Sequence, residues 1–153
     1  MKRAYHIIML GIIALAFSAC HSDIVYSSFS PIPSNKWHID SVAQFDYAIT
    51  DADADYRILV YVRHTERYPY QNMWLFVNDG LRNDTLEFYL ADDRGQWLGD
   101  MKHGFIEMPV LLEENKHFPD TGLYHLTIQH AMRDTLLRGM TDIGVEIRRN
   151  GKK

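Results

Sequence analysis

Residues Tyr56 to Asn78 read YRILVYVRHTERYPYQNMWLFVN, two apolar segments joined by a basic, aromatic loop. Successive side chains of an extended backbone point to opposite faces, so Ile58, Val60 and Val62 share one face while Leu59 and Tyr61 share the other. Both faces are apolar, which predicts a strand at the centre of a sheet. Trp74 and Phe76 carry the same period of two into the second segment. Arg63 to Gln71, between the segments, is too long and too polar for a two-residue hairpin turn, and this loop is the expected working surface.

Working outward, Phe45, Tyr47 and Ile49 alternate with Asp46 and Ala48 as a half-buried strand, followed by an acidic turn at Asp51, Asp53 and Asp55. That triplet departs from a calcium loop. Tyr56 occupies the sixth position, where glycine is needed, and Val62 the twelfth, where a bidentate glutamate is needed. On the other side, Leu86, Phe88 and Leu90 form a strand that ends in a turn holding Gly95, Trp97 and Gly99. Phe105 to Leu112 is a further strand, expected at an edge or bulge because Pro109 lacks an amide hydrogen. Glu113 to His117 reads as a solvated loop. Tyr124, Leu126 and Ile128 define one more strand, Thr135 to Met140 another, and Ile143, Val145 and Ile147 close the sheet before a basic tail of Arg148, Arg149, Lys152 and Lys153. Seven or eight short strands with turn signals between them, and no long amphipathic helix pattern, predict an all-β fold, an antiparallel β-sandwich of jelly-roll type.

The N-terminus stands outside that pattern. Lys2 and Arg3 precede an apolar run from Ile7 to Phe17, and Ser18-Ala19 lead into the sole cysteine, Cys20. The run is too short for a membrane span, which needs about 20 apolar residues. It reads as a lipoprotein signal peptide over residues 1–19, with Cys20 as the acylated mature N-terminus, then a tether over 20–36 whose first residues lie extended along the sheet, then a β-sandwich domain over 37–150. A single cysteine allows no internal disulfide, so stability comes from burial. Removing Lys2 and Arg3 from the 16 basic residues leaves 14 against 20 acidic, a net charge of −6 with histidines neutral, which argues against a nucleic-acid partner. The expected location is the outer membrane, with the domain on the periplasmic side.

Catalytic patterns are missing from the chain. No Gly-x-Ser-x-Gly and no His-Glu-x-x-His occurs, and His125 and His130, five residues apart, face opposite sides of a strand. Glu66, Glu87, Glu107 and Glu113 could supply a hydrolytic carboxylate pair, but sequence does not give their separation. No cofactor or metal is expected. What remains is a cluster of Arg63, His64, Arg67, Tyr68 and Asn72, with His130 and Arg133 further on. One reading makes these strand-end ion pairs and loop braces. The other makes them a recognition patch, since tyrosine and arginine supply much of the binding energy where proteins dock. Trp74 and Trp97 are candidate stacking platforms for a sugar ring, or else covers of the core.

Across the mature chain, several motifs resemble the gliding-motility lipoprotein GldH family of the Bacteroidetes. They are Cys20, Tyr26, Trp37 and Phe45, then Val62-Arg63-His64, Tyr68-Pro69-Tyr70-Gln71-Asn72-Met73-Trp74-Leu75, Leu90-Ala91-Asp92, Gly95-Gln96-Trp97-Leu98-Gly99, Phe118-Pro119, Gly122-Leu123-Tyr124 and His130-Ala131-Met132-Arg133. The resemblance implies an envelope lipoprotein needed for gliding, with partners among the envelope proteins of the motility and type IX secretion machinery. It carries no catalytic residues. Two further classes stay open: a glycan- or peptidoglycan-binding module, and a hydrolase.

Overall fold

The computed structural model describes residues 23–151. The expected signal peptide, Cys20 and the last two lysines lie outside the described residues. The elements in chain order are β1 (Ile24–Pro31), a short 3-10 turn at Pro33–Asn35, β2 (Lys36–His38), β3 (Ala43–Ile49), β4 (Asp55–His64), β5 (Asn72–Asn78) and β6 (Asn83–Tyr89). They continue with β7 (Asp100–Lys102), β8 (Phe105–His117), β9 (Gly122–His130), β10 (Leu136–Arg138) and β11 (Met140–Arg149).

Two antiparallel sheets form the body, one ordered β1-β11-β4-β8-β7 and the other β3-β9-β5-β6, while β2 and β10 make a small ribbon. Set aside the three-residue strands β2, β7 and β10, and the pairing is nested. The first long strand pairs with the last (β1 with β11), the second with the seventh (β3 with β9), the third with the sixth (β4 with β8), and the fourth with the fifth (β5 with β6). A long antiparallel ribbon wrapped over itself in this way is the jelly roll. The Tyr56 segment is the middle strand of its sheet, as its two apolar faces require.

Alternation fills the space between the sheets. Tyr56, Ile58, Val60 and Val62 of β4 and Ile143, Val145 and Ile147 of β11 face Phe45, Tyr47 and Ile49 of β3, Met73, Leu75 and Val77 of β5, and Leu126 and Ile128 of β9, all buried. Phe118 closes one end of this core against Tyr47, Tyr56 and Tyr124, with ring centroids 4.6 to 6.1 Å apart. Trp37 and Leu137 on the β2–β10 ribbon close the other, and the Trp37 indole donates to the Ser41 carbonyl at 2.8 Å.

Strand directions sort the loops between two ends. The start of β1, the β3–β4 turn, the β5–β6 turn, the β8–β9 turn and the end of β11 gather at one end, held by Lys116–Asp79 at 2.6 Å, an Arg149–Asp51 pair and Asn150 donating to the Asp55 carbonyl at 2.8 Å. The β4–β5 loop, the β6–β7 turns and the β9–β10 turn lie at the other.

Two expectations need correction. Ile24 to Pro31 does lie extended along the larger sheet, but as its edge strand, paired with β11 from Ile24–Arg148 to Pro31–Asp142, and Ile32 after it is buried, so the folded body includes these residues and does not begin at Trp37. Alternating small and aromatic residues at Ser28, Phe29 and Ser30 let it lie flat there. Glu113 to His117 is not a free loop either. β8 runs on to His117 opposite Asp55, through two register shifts, and its charges are paired there, Glu113 with Arg82, Glu114 with Arg57 and Lys116 with Asp79. Pro109 does sit on an edge, since β7 reaches only as far as Glu107 along β8.

Candidate functional site

Even-numbered side chains of β5 point outward and odd-numbered ones inward: Met73 and Leu75 are fully buried, whereas Trp74 is 38% and Phe76 52% exposed. Tyr70 and Asn72 continue the outward row toward the loop. Beside them the chain leaving β9 turns back, its Ala131 amide donating to the Trp74 carbonyl at 2.8 Å and its Met132 sulfur accepting from the Trp74 amide at 3.3 Å. Tyr70, Asn72, Trp74, Ala131, Met132 and Arg133 thereby line an open groove of about 460 Å³.

Polar groups hold the groove's walls. The Tyr70 hydroxyl donates to Asp134 at 2.7 Å, and this bond raises its pKa above the ordinary phenol value, so it stays a protonated donor. Asn72 donates to Glu87 on β6 at 2.9 Å. Further along the same sheet face, a second hollow of about 450 Å³ is lined by Val42, Phe76, Asn78, Asn83, Thr85, Thr127 and Gln129, among others. The face as a whole carries exposed aromatic rings between amides, hydroxyls and the carboxylates of Asp84 and Glu87, with Arg133 at its rim.

The expected patch does not form as one surface. His64, Tyr68 and His130 are buried, because His64 is in phase with Val62 on β4 and His130 with Ile128 on β9. Contrary to expectation, they brace the core and are not available for docking. The Tyr68 hydroxyl donates to the Asn72 carbonyl at 2.8 Å, and burial pushes its pKa up. His64 Nδ1 lies 3.1 Å from the Thr65 carbonyl and His130 Nε2 3.2 Å from the Trp37 carbonyl. Their other ring nitrogens, His64 Nε2 and His130 Nδ1, are buried without a hydrogen-bond partner, and burial lowers both pKa values. Both imidazoles are therefore neutral.

Arg63 and Arg133 stand on opposite sides of the sandwich. Arg63 lies on the outer face of the larger sheet, its guanidinium 3.6 Å from the centre of the Phe29 ring and 4.9 Å from that of Phe105, and it pairs with Glu107 at 2.7 Å. Burial alone would raise the Glu107 pKa, but Lys102 and Arg63 outweigh it and hold the carboxyl below its ordinary value. Gly144 makes room there, since any Cβ would run into the Phe29 ring. Arg67 is exposed in the distal loop beside Asn35 and Arg138. Of the expected residues, only Asn72, Trp74 and Arg133 share a site. Tyr70, Phe76, Met132 and Asp134 belong with them and were missed, although Tyr70 and Phe76 are in phase with Trp74. Trp97 packs edge-on against His64, ring centroids 4.6 Å apart, as a cover of the core.

The carboxylates weighed as a hydrolytic pair are also dispersed. Glu87 is on the outer face of one sheet and Glu107 on that of the other, while Glu113 is paired with Arg82 at 2.9 Å. Among the described residues, no three His, Cys, Asp or Glu side chains converge as a metal site would need.

The GldH lipoprotein family matches residues 24–147, the whole sandwich from the first strand to the last. The chain belongs to this family. A gliding motility lipoprotein GldH homolog of Christiangramia forsetii is 28% identical over 98% of this chain and 99% of its own length. The gliding motility lipoprotein GldH of Flavobacterium johnsoniae is 28% identical over 91% of this chain and 93% of its own. Both relatives are named as lipoproteins and neither as an enzyme. Among solved structures, dimeric latent PorU from Porphyromonas gingivalis superposes at a TM-score of 0.41 and 6% identity, over 87% of this chain and 14% of that one. At that level the likeness assigns no function. Membership in the GldH family accounts for why the matched span starts at β1: the supposed tether is part of the shared body.

Proposed function

We propose that the chain is a non-enzymatic binding component of the gliding and type IX secretion machinery, anchored in the outer membrane by lipid on Cys20 and facing the periplasm. The observation that carries this reading is the family match across the entire folded body, to relatives named for gliding motility. The groove of Tyr70, Asn72, Trp74, Met132 and Arg133 supplies the docking surface, with an exposed indole and an arginine of the kind that dominates binding energy. Dispersal of the glutamates onto opposite sheets supports binding over hydrolysis. In cells lacking the chromosomal copy, the wild-type chain should restore surface spreading, while a Trp74→Ala/Arg133→Ala chain at equal membrane levels should not. Full restoration by the double variant would refute this surface.

One observation favours a second reading. Trp74 and Phe76 stand side by side on the outer face of β5 among amides, hydroxyls and the Asp84 and Glu87 carboxylates, an arrangement suited to stacking sugar rings and bonding their hydroxyls. Soluble peptidoglycan fragments should then shift the fluorescence of the wild-type chain but not of Trp74→Ala. No shift in either chain would exclude it.

A further inference from the structure

We propose that the sandwich stands end-on upon the bilayer, with Leu81 and Leu123 seated among the lipid headgroups and the Trp74 groove held at the far end. This rests on acylation of Cys20, the anchoring part of the reading above. Three residues separate Cys20 from Ile24, four Cα-to-Cα steps, so the leash spans at most about 14 Å when fully extended. Beyond Ile24 there is no slack, because β1 is paired along its length with β11.

The end drawn to the membrane is therefore the one where β1 starts. The β3–β4, β5–β6 and β8–β9 turns lie at that same end. It also holds the two most exposed large apolar side chains of the described residues, Leu123 at 86% and Leu81 at 74%. Leu81 sits in the β5–β6 turn and Leu123 at the start of β9, on the end a short leash presses against lipid. Val25, near the start of β1, is exposed at this end as well. Burying such side chains in the interface is favourable, and nothing else among the described residues covers them.

Among the described residues, Asp51 pairs with Arg149, Asp79 with Lys116 and Glu114 with Arg57, so the charges at this end are mixed in sign. Contact should thus depend on the leucines and the anchor. With about 3.3 Å per residue along β4, the stance lifts the groove about 30 Å from the membrane surface, within reach of a periplasmic partner.

The test is hydrogen exchange on the full mature lipidated chain bound to phosphatidylethanolamine vesicles, compared with the Cys20→Ser chain mixed with the same vesicles. The lipidated chain should float with the vesicles and slow exchange at residues 79–82 and 118–123, with residues 65–71 and 131–135 unchanged. A Leu81→Glu/Leu123→Glu lipidated chain should still float but lose that protection. Failure to float would overturn the lipid anchor and the stance with it. Floating without protection at 79–82 and 118–123, or with equal protection at both ends, would overturn the stance alone.

Discussion

Mild acid should weaken this fold, and the cause would be two histidines. His64 and His130 are buried with one ring nitrogen each lacking a partner, and burial holds both pKa values below the ordinary 6.5. In the unfolded chain they take up protons as pH falls through 6.5; in the folded chain burial delays this to lower pH. The lowered pKa means their stability cost is nil well above pH 6.5 and grows as pH falls from there toward the folded value. Each histidine that stays neutral costs up to about 1.4 kcal/mol between about pH 7.5 and about pH 5.5, so the pair costs up to about 2.7 kcal/mol. For a domain of this size that corresponds to roughly 10 °C in Tm. Asp79 and Glu107 have lowered pKa values, so the stability they add is lost only below the ordinary carboxylate range, outside this window. The assay is urea unfolding at both pH values. His64→Asn and His130→Gln place an amide nitrogen where the imidazole faces the Thr65 and Trp37 carbonyls, and should each remove about half of the pH dependence while lowering stability overall. Equal stability at both pH values, or a pH dependence untouched by the two substitutions, would refute the reasoning.

Three further outcomes follow from the packing. Gly139 has φ +84° and a Cβ there would stand 2.5 Å from the Tyr68 amide nitrogen, so Gly139→Ala should cost about 3 kcal/mol in a thermal melt; a loss below about 1 kcal/mol would show that the distal loop is not locked at this point. Lys116 sits 2.6 Å from the part-buried Asp79, and although burial raises the Asp79 pKa, Lys116 and the Leu81 and Arg82 amides bring it below its ordinary value. Lys116→Met should cost about 2 kcal/mol in denaturant unfolding and raise the Asp79 titration midpoint seen by NMR, and an unmoved midpoint would count against the pair. Phe118 is 1% exposed among three tyrosines, so Phe118→Ala should cost about 3–5 kcal/mol, with a cost near zero meaning that the end of the core is open.

Much of the site was legible residue by residue. Strand phase alone assigns His64 to the face of Val62 and His130 to the face of Ile128, hence inward, and assigns Tyr70 and Phe76 to the face of Trp74, hence outward. Reading the loop by residue type, as a store of arginine, histidine and tyrosine, obscured that phase and grouped buried with exposed side chains. Met132 carries no such signal. Its place at the groove depends on how the chain turns after β9 against a strand more than fifty residues earlier.

From sequence alone came the all-β class, the central position of the Tyr56 strand, the edge position of Pro109 and the family resemblance, because alternation, proline's missing donor and local motifs are properties of neighbouring residues. Only the tertiary structure decided that residues 24–31 are an edge strand, that Arg63 and Arg133 lie on opposite faces, and that β1 starts at the end bearing Leu81 and Leu123. Those facts depend on which strands pair across long sequence separations. Pairing of that kind is chosen by the closure of one core, which no local stretch of chain can specify.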